Sequence, residues 1–339
     1  MRRALVLGLL ALTASTGLAV SADMVAKAPP PAAAPAPPEW DVAFGGAGMT
    51  DYIFRGITQS DHKPSVAAYS ELRFNPKSLS NFQFYVGSSG ESIDFPNRAA
   101  SEIDFYGGMR PTIDKLALDF GFWYYYYPGG INFPGTGSPL IILPAHDTCA
   151  NGFFVRTPAG LFCNPIKGNE SFYEGYGKGT LTINDNVAVG GNVYYSPSWL
   201  NSGAYGLYAS GTAKLTAPSS WFPKDWGGYV SGELGRYWFG TTDKFYATPA
   251  FPNGIPYPDY TTWNIGVGLT WKVLTLDLRW YDTDLSKVNC NVLTSDHTAT
   301  FGGPGAITPT NPDGLVSNWC GSTFVAKLSF DLTTNTNLK

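Results

Sequence analysis

The chain has 339 residues, of which 44% are hydrophobic, 15% aromatic and only 14% charged, with 39 Gly, 26 Pro and a formal net charge of −4. So many rings and apolar side chains exclude intrinsic disorder, and a mean hydropathy of −0.09 with no long apolar run beyond the N-terminus excludes a bundle of membrane helices. The slight acidity gives no reason to expect a nucleic-acid partner, which would leave a basic stripe.

At the N-terminus, Arg2 and Arg3 precede an apolar stretch from Ala4 to Val20 and a small-residue cleavage site at Val20-Ser21-Ala22. That pattern predicts a secretory signal peptide over 1–22, with Asp23 beginning the mature chain. Residues 23–39, almost wholly Ala and Pro between Lys27 and Pro38, predict an extended periplasmic tether rather than packed structure.

From Trp40 the dominant signal is alternation of apolar and polar residues, which in a membrane barrel separates a lipid face from a lumen face. Ile103, Phe105 and Met109 oppose Glu102, Asp104 and Arg110. Leu116, Leu118, Phe120 and Phe122 oppose Asp119, Gly121 and Trp123. Leu274, Leu276, Leu278 and Trp280 alternate with Thr275, Asp277, Arg279 and Tyr281. About twelve such segments recur, near 40–54, 65–75, 81–88, 101–110, 115–127, 170–183, 186–196, 203–216, 228–239, 260–271, 273–283 and 322–332. Short connections at Asn75-Pro76, Pro111-Thr112, Asn184-Asp185-Asn186 and Lys272-Val273 alternate with long polar stretches around His62, Asp94, Cys149 to Cys163, Pro252 and Cys290 to Cys320. Short periplasmic turns and long external loops are the expected asymmetry of an outer-membrane barrel.

The fold class is therefore all-β, a transmembrane antiparallel β-barrel over 40–332 with a polar C-terminal tail over 333–339. A soluble β-sandwich would not require long and short connections to alternate. Trp40, Trp271 and the cluster Trp221, Phe222 and Trp226 fall at the predicted inner ends. Tyr124, Tyr126, Trp238, Trp263 and Trp280 fall at the outer ends, as an aromatic girdle demands. One position resists the pattern: Arg236 shares parity with Val230, Leu234 and Trp238, so either a bulge at Gly235 corrects it or the guanidinium sits at the interface.

Parity assigns the lumen-facing, pore-lining charges as Asp51, Arg55, Glu71, Arg73, Glu102, Asp104, Arg110, Asp119, Glu174, Lys178, Lys214, Glu233, Asp277, Arg279 and Lys327, with Asp331 on the same face. Acids and bases are near balance, which predicts weak charge selection, since strong selection comes from rings of one sign. The alternative is that these groups pair and plug the barrel. Of the four cysteines, Cys149 with Cys163 and Cys290 with Cys320 close the shorter loops if paired within each stretch, and an exported chain retains disulfides. No Cys-x-x-Cys spacing favours zinc.

The block Met49-Thr50-Asp51-Tyr52-Ile53-Phe54-Arg55-Gly56-Ile57-Thr58-Gln59-Ser60, followed by Asp61-His62-Lys63-Pro64, resembles the signature of the TorF family of porins, also described as Gcw-type proteobacterial proteins. Thr50 and Thr58 stand where that signature has serines. Glu102 to Gly108, Asp119-Phe120-Gly121 and Tyr127-Pro128-Gly129 also look like the family's pattern. The resemblance is strong over the N-terminal third, and it implies an outer-membrane location in a Gram-negative bacterium and a pore, with no catalytic residues. One departure is at the C-terminus, where Phe330 is followed by Asp331, Leu332 and a polar tail rather than closing the chain with an aromatic residue.

The function expected is a porin-like channel for passive diffusion of small hydrophilic solutes, non-enzymatic and without cofactor or metal. Its partners would be outer-membrane lipid, the solutes and the outer-membrane insertion machinery, with oligomeric state open. The rival is a structural or adhesive barrel acting through disulfide-closed external loops. A remoter one is a rim hydrolase, because His62, His146 and His297 each adjoin an aspartate (Asp61, Asp147 and Asp296). Neither a Gly-x-Ser-x-Gly elbow nor a His-Glu-x-x-His motif supports it.

Overall fold

A computed structural model describes residues 38–134, 155–157, 160–162 and 164–337. The expected signal peptide, all but the end of the tether, and Cys149, Cys163 and His146 lie outside the described residues. Among the described residues no helix is long and apolar enough to cross a membrane.

Twelve antiparallel strands close into one barrel. They are β1 Trp40–Met49, β2 Ser65–Phe74, β3 Phe82–Glu91, β4 Glu102–Ile113, β5 Leu116–Tyr126, β6 Phe172–Asn184, β7 Val187–Ser196, β8 Gly206–Thr216, β9 Trp226–Phe239, β10 Tyr260–Trp271, β11 Leu274–Thr283 and β12 Thr323–Thr333. Each pairs with its neighbours in sequence, and β1 pairs with β12 to close the cylinder, Ala43 lying opposite Thr333 and Met49 opposite Lys327. Closure leaves no sheet edge with unpaired backbone groups. The tail adds a clasp across this seam: Thr334 Oγ1 and Asn335 N donate to Asp41 Oδ1 at 2.8 and 3.0 Å.

The two surfaces of the cylinder invert the pattern of a soluble protein. Val66, Val86, Leu234, Ile265, Val267 and Phe324 are exposed on the outside, whereas Glu71, Glu102, Asp104, Glu174, Glu233 and Asp277 are buried within. Inward-facing glycines make room for inward-facing tyrosines on adjoining strands. A side chain at Gly87, Gly121, Gly235 or Gly268 would collide with the ring of Tyr106, Tyr176, Tyr208 or Tyr229 respectively. The inner wall is thus fitted around phenols rather than aliphatic side chains.

Short connections meet at one end. Asp114 and Lys272 adopt left-handed φ of 52° and 51°, which lets two-residue links join β4 to β5 and β10 to β11. The first of these turns falls at Asp114-Lys115 rather than at Pro111-Thr112, because β4 continues to Ile113, which faces Leu116. The longer link 217–225 carries a single 3₁₀ turn at Ser219–Trp221 with Trp221 exposed. It overhangs an apolar recess of about 600 Å³ on the outer wall, lined by Leu215, Phe222, Val230, Leu269 and Leu276 among others. Trp226 and Trp271, directly opposed in register, lie 6.1 Å apart at the same end.

The doubt over Arg236 resolves without a bulge. Pairing runs unbroken through Gly235 on both sides of β9. Arg236 keeps outward parity near the long-loop end of the strand, donating to Thr261 Oγ1 at 3.0 Å with its guanidinium 6.0 Å from the Trp238 ring. Phe330 and Leu332 lie within β12, and Asp331 between them turns inward to accept from Tyr69 Oη at 2.8 Å.

The first strand departs from the predicted 40–54. The wall ends at Met49, and residues 50–64 leave it. The cause is Asp51, whose Oδ1 accepts from Thr58 Oγ1 at 2.5 Å and Ser60 Oγ at 3.0 Å, folding the chain back upon itself instead of along the sheet.

Candidate functional site

The segment that leaves the wall forms a miniature hairpin, Ile53–Phe54 paired with Ile57–Thr58, with Arg55 and Gly56 at its tip. Both tip residues have positive φ, 48° and 86°, the geometry of a tight turn matched to strand twist. Gly56 is required on two counts, since a side chain there would be backbone-strained and would collide with Thr262 and Thr283 on the wall.

The hairpin starts beside β1 and its tip reaches the strands facing β1 across the barrel. Arg55 forms a bidentate pair with Glu174 on β6, 2.7 Å from each guanidinium nitrogen to a carboxylate oxygen, and donates to Tyr237 Oη on β9 at 2.8 Å. Its guanidinium lies 4.5 Å from the ring centroids of Phe54, Tyr194 and Tyr208 and 5.0 Å from that of Tyr237. Tyr260 Oη on β10 donates to the Arg55 carbonyl at 3.0 Å. Arg55 is 3% exposed and Glu174 0%. Ion pair, phenols and ring faces together clamp the hairpin tip across the lumen.

Asp51 and Arg55 are therefore lumen groups, but not on the wall of the first strand as parity predicted; both belong to the inserted segment. The shared parity of Asp51 and Arg55 mimics a strand because a hairpin has the same period. The remaining parity assignments point inward. Glu71 and Arg110 pair bidentately at 2.7 and 2.9 Å, Arg73 donates to Glu71 at 2.6 Å, and Arg110 Nε lies 3.4 Å from Asp119. Arg110 also stacks 3.6 Å from the Tyr85 ring centroid, while Tyr85 Oη bonds Asp119 and Tyr176. On the other side Arg279 pairs with Asp277 at 3.0 Å, and Tyr229 donates to Asp277 at 2.8 Å. Glu233 accepts from Tyr208 at 2.8 Å. Lys178 and Lys214 sit 4.3 Å from the rings of Tyr176 and Tyr229, and Lys327 faces Asp277 and Asp331 without closing an ion pair. Glu102 and Asp104 sit together at the long-loop end of β4, opposite Glu91 and Ser89 in register.

Sequence reasoning missed the phenols. Tyr52, Tyr127, Tyr208 and Tyr237 carry much of the polar bonding inside, yet a tyrosine counts as apolar in an alternation pattern. Tyr208 shares parity with Lys214 on β8 and Tyr237 with Glu233 on β9, and that was the available signal.

Over the hairpin the long loops form a latch. Cys290 is bonded to Cys320, joining α1 (Lys287–Thr294) to the root of β12 as the sequence predicted. Trp319 donates its indole N–H to Asp61 at 2.9 Å, and its carbonyl accepts from Thr58 N at 3.0 Å. Lys63 bridges Asp61 at 3.0 Å and Asp94 at 2.6 Å, which pushes its pKa up to about 12. Burial alone would raise Asp61, but hydrogen bonds from Lys63 and Trp319 hold it below the usual carboxylate range.

His62 departs from the expected pairing with its neighbour Asp61. Its Nδ1 lies 2.7 Å from Asp51 Oδ2 and its Nε2 3.1 Å from the Asn318 carbonyl. Both partners are acceptors, so only the doubly protonated ring satisfies both. The hydrogen bond to Asp51 outweighs the burial that would lower the pKa, and the Asn318 carbonyl and the charges of Asp51 and Asp61 raise it further. A raised pKa means that the latch contribution is complete below His62's ordinary value and lost as pH rises through the raised one. Amide protection across 50–64, taken relative to the base-catalysed intrinsic exchange rate, should therefore fall on going from pH 6 to pH 9, and His62→Gln should flatten that dependence. Equal slopes in the two proteins would refute the role. His297, expected beside Asp296, instead lies 3.4 Å from Asp94.

Residues 32–138 match the family model Gcw_chp, described as a bacterial protein of unknown function. That span contains every block of the resemblance noted in the sequence, and it is under half of the chain. No curated protein matches significantly. Among solved structures the chain is similar to an outer membrane channel from Pseudomonas putida F1 (10% identity, 89% of this chain and 97% of that one, TM-score 0.41). It is also similar to the KdgM porin (9% identity, 86% and 98%, TM-score 0.40) and the NanC porin (9% identity, 86% and 100%, TM-score 0.40).

Proposed function

We propose that this chain is an outer-membrane barrel of porin type, passing small hydrophilic solutes by diffusion, and that the 50–64 segment gates the path. The observation carrying this reading is the Arg55 clamp: one charged side chain, on a hairpin with its own turn, holds a crosspiece inside a polar-walled cylinder. On this reading the paired inner-wall charges, from Glu71 and Arg110 to Asp277 and Arg279, line the path and leave little net sign to select ions. The TorF-type resemblance of the N-terminal third supports the pore expectation for the part of the chain that builds the gate. Catalysis at the rim is disfavoured at His62, because both ring nitrogens are engaged and neither is left to take a proton from a nucleophile.

The test is planar-bilayer recording of the purified full chain beside its Arg55→Ala variant. Rare stepwise openings in the first and frequent ones in the second are expected. Silence of both, at every voltage, would end the porin reading in favour of the second one, a closed barrel acting through its loops. That alternative draws on the buried Arg55–Glu174 pair and the disulfide-tied cap.

The membrane part of the proposal has its own check. Val267 is exposed near the middle of β10, and arginine there should cost about 2–4 kcal/mol in a lipid vesicle, against roughly 0–1 kcal/mol for a charge at the interfacial level proposed for Arg236. Urea titration of vesicle-inserted protein reads the difference, and no cost at Val267 would argue against a lipid-facing wall.

A further inference from the structure

We propose that Glu91, Glu102 and Asp104 form a binding site for a hard divalent cation of the calcium class, at the long-loop end of the inner wall. The sequence places like charges against each other there. Glu91 and Glu102 are direct cross-strand partners on β3 and β4, and Asp104 follows on the same face opposite Ser89. Like charges in that relation repel, and none of the three makes an ion pair with any Lys, Arg or His among the described residues.

Two further observations point to a ligand rather than to mere crowding. One donor oxygen from each residue lies within 4.8 Å of the others, no farther than the span across one calcium with bonds of about 2.3–2.6 Å. Asp104 is 2% exposed, yet its Oδ1 accepts no hydrogen bond, and the buried Oε2 of Glu91 accepts none either. The Trp123 indole N–H approaches Asp104 and acts on it only as a weak donor, outside full hydrogen-bond geometry. Glu102, by contrast, is held in place: Tyr52 and Tyr127 each donate to one of its oxygens at 2.6 Å. A fixed carboxylate beside two with idle lone pairs offers three hard donors that can converge on one cation.

The donor chemistry sets the class. Carboxylates, with the Ser89 hydroxyl and phenols nearby, are hard oxygen ligands without sulfur or imidazole, which excludes a preference for copper or zinc. Magnesium keeps most of its water shell, and these oxygens are buried, so calcium with its flexible six to eight ligands suits the site better. Tyr52 lies at the root of the inserted hairpin, so an ion here would tie β3, β4 and the gate segment together.

Calorimetric titration of the folded, detergent-solubilised full chain with calcium chloride should show one site per chain and a calcium-dependent rise in melting temperature. Asp104→Asn keeps the size and the acceptor toward Ser89 and should weaken binding at least tenfold. Glu91→Gln should do the same without touching the tyrosine bonds to Glu102. Heat-modifiable gel mobility verifies that each variant is folded. Absence of calcium binding to the folded parent chain would overturn the proposal, as would affinity unchanged in both variants. Proton uptake by the folded parent chain in place of calcium binding would overturn it as well, by assigning protons as the neutralising charge.

Discussion

Arg55→Ala should raise the open probability of the barrel by roughly two to three and a half orders of magnitude. Removing one partner of a buried, hydrogen-bonded ion pair costs about 3–5 kcal/mol because the other charge is left uncompensated, and each 1.4 kcal/mol is tenfold in an equilibrium. Here the orphan would be Glu174, fully buried and left with only Tyr125 and Tyr237 as donors, at 3.2 and 3.3 Å. Water entering the vacated space would solvate it, and the hairpin tip would lose its contacts with the three wall rings of Tyr194, Tyr208 and Tyr237 at the same time. Arg55→Ala with Glu174→Gln should return part of the closed population, since the stranded charge is gone while the phenols remain. The barrel ladder is untouched by either change, so heat-modifiable mobility should persist. Conductance indistinguishable from the parent in both variants would mean that the crosspiece does not depend on its tip.

Breaking the Cys290–Cys320 bond should release the outer cap while sparing the cylinder. The bond spans 30 residues of chain, and loop-closure entropy for that length corresponds to about 3.5 kcal/mol. What it restrains is specific: α1 with buried Cys290, Val292 and Leu293, Trp319 with its bond to Asp61, and Thr283 Oγ1 donating to the Cys320 carbonyl at 2.6 Å. Reduction, or Cys290→Ser with Cys320→Ser, should speed amide exchange in 284–322 and, through Trp319 and Asn318, in 50–64. Exchange in β3 to β8 should stay slow. A uniform acceleration over all strands would show instead that the cap and the wall are one cooperative unit.

These outcomes bear on what a single sequence can convey. Strand positions were legible because period two is imposed by the pleat on every wall segment, and the inner and outer faces differ in polarity as sharply as oil and water. Turn ends were legible too, with an error of three residues at β4, where Pro111 lies inside the strand instead of ending it. The crosspiece was not. Residues 50–58 continue the alternation of β1, and nothing local distinguishes a strand that stays in the wall from one that folds back after four residues. Only the pairing of Asp51 with Thr58 and Ser60, a contact across seven to nine residues, does so. Cross-lumen pairs such as Arg55 with Glu174 or Glu71 with Arg110 depend on angular positions fixed when the barrel closes. Parity says that a group faces in, but not which group faces it.

The joining of β1 to β12 imposes an order on biogenesis. Eleven strands can zip to their sequence neighbours as they emerge, but the first must wait with one flank bare until residues 323–333 arrive. A chain cut before that point keeps two unsatisfied rims that no bilayer tolerates. Shortened forms are therefore expected to stall before insertion and become protease substrates, and the clasp of Thr334 and Asn335 on Asp41 fastens the seam once it has closed.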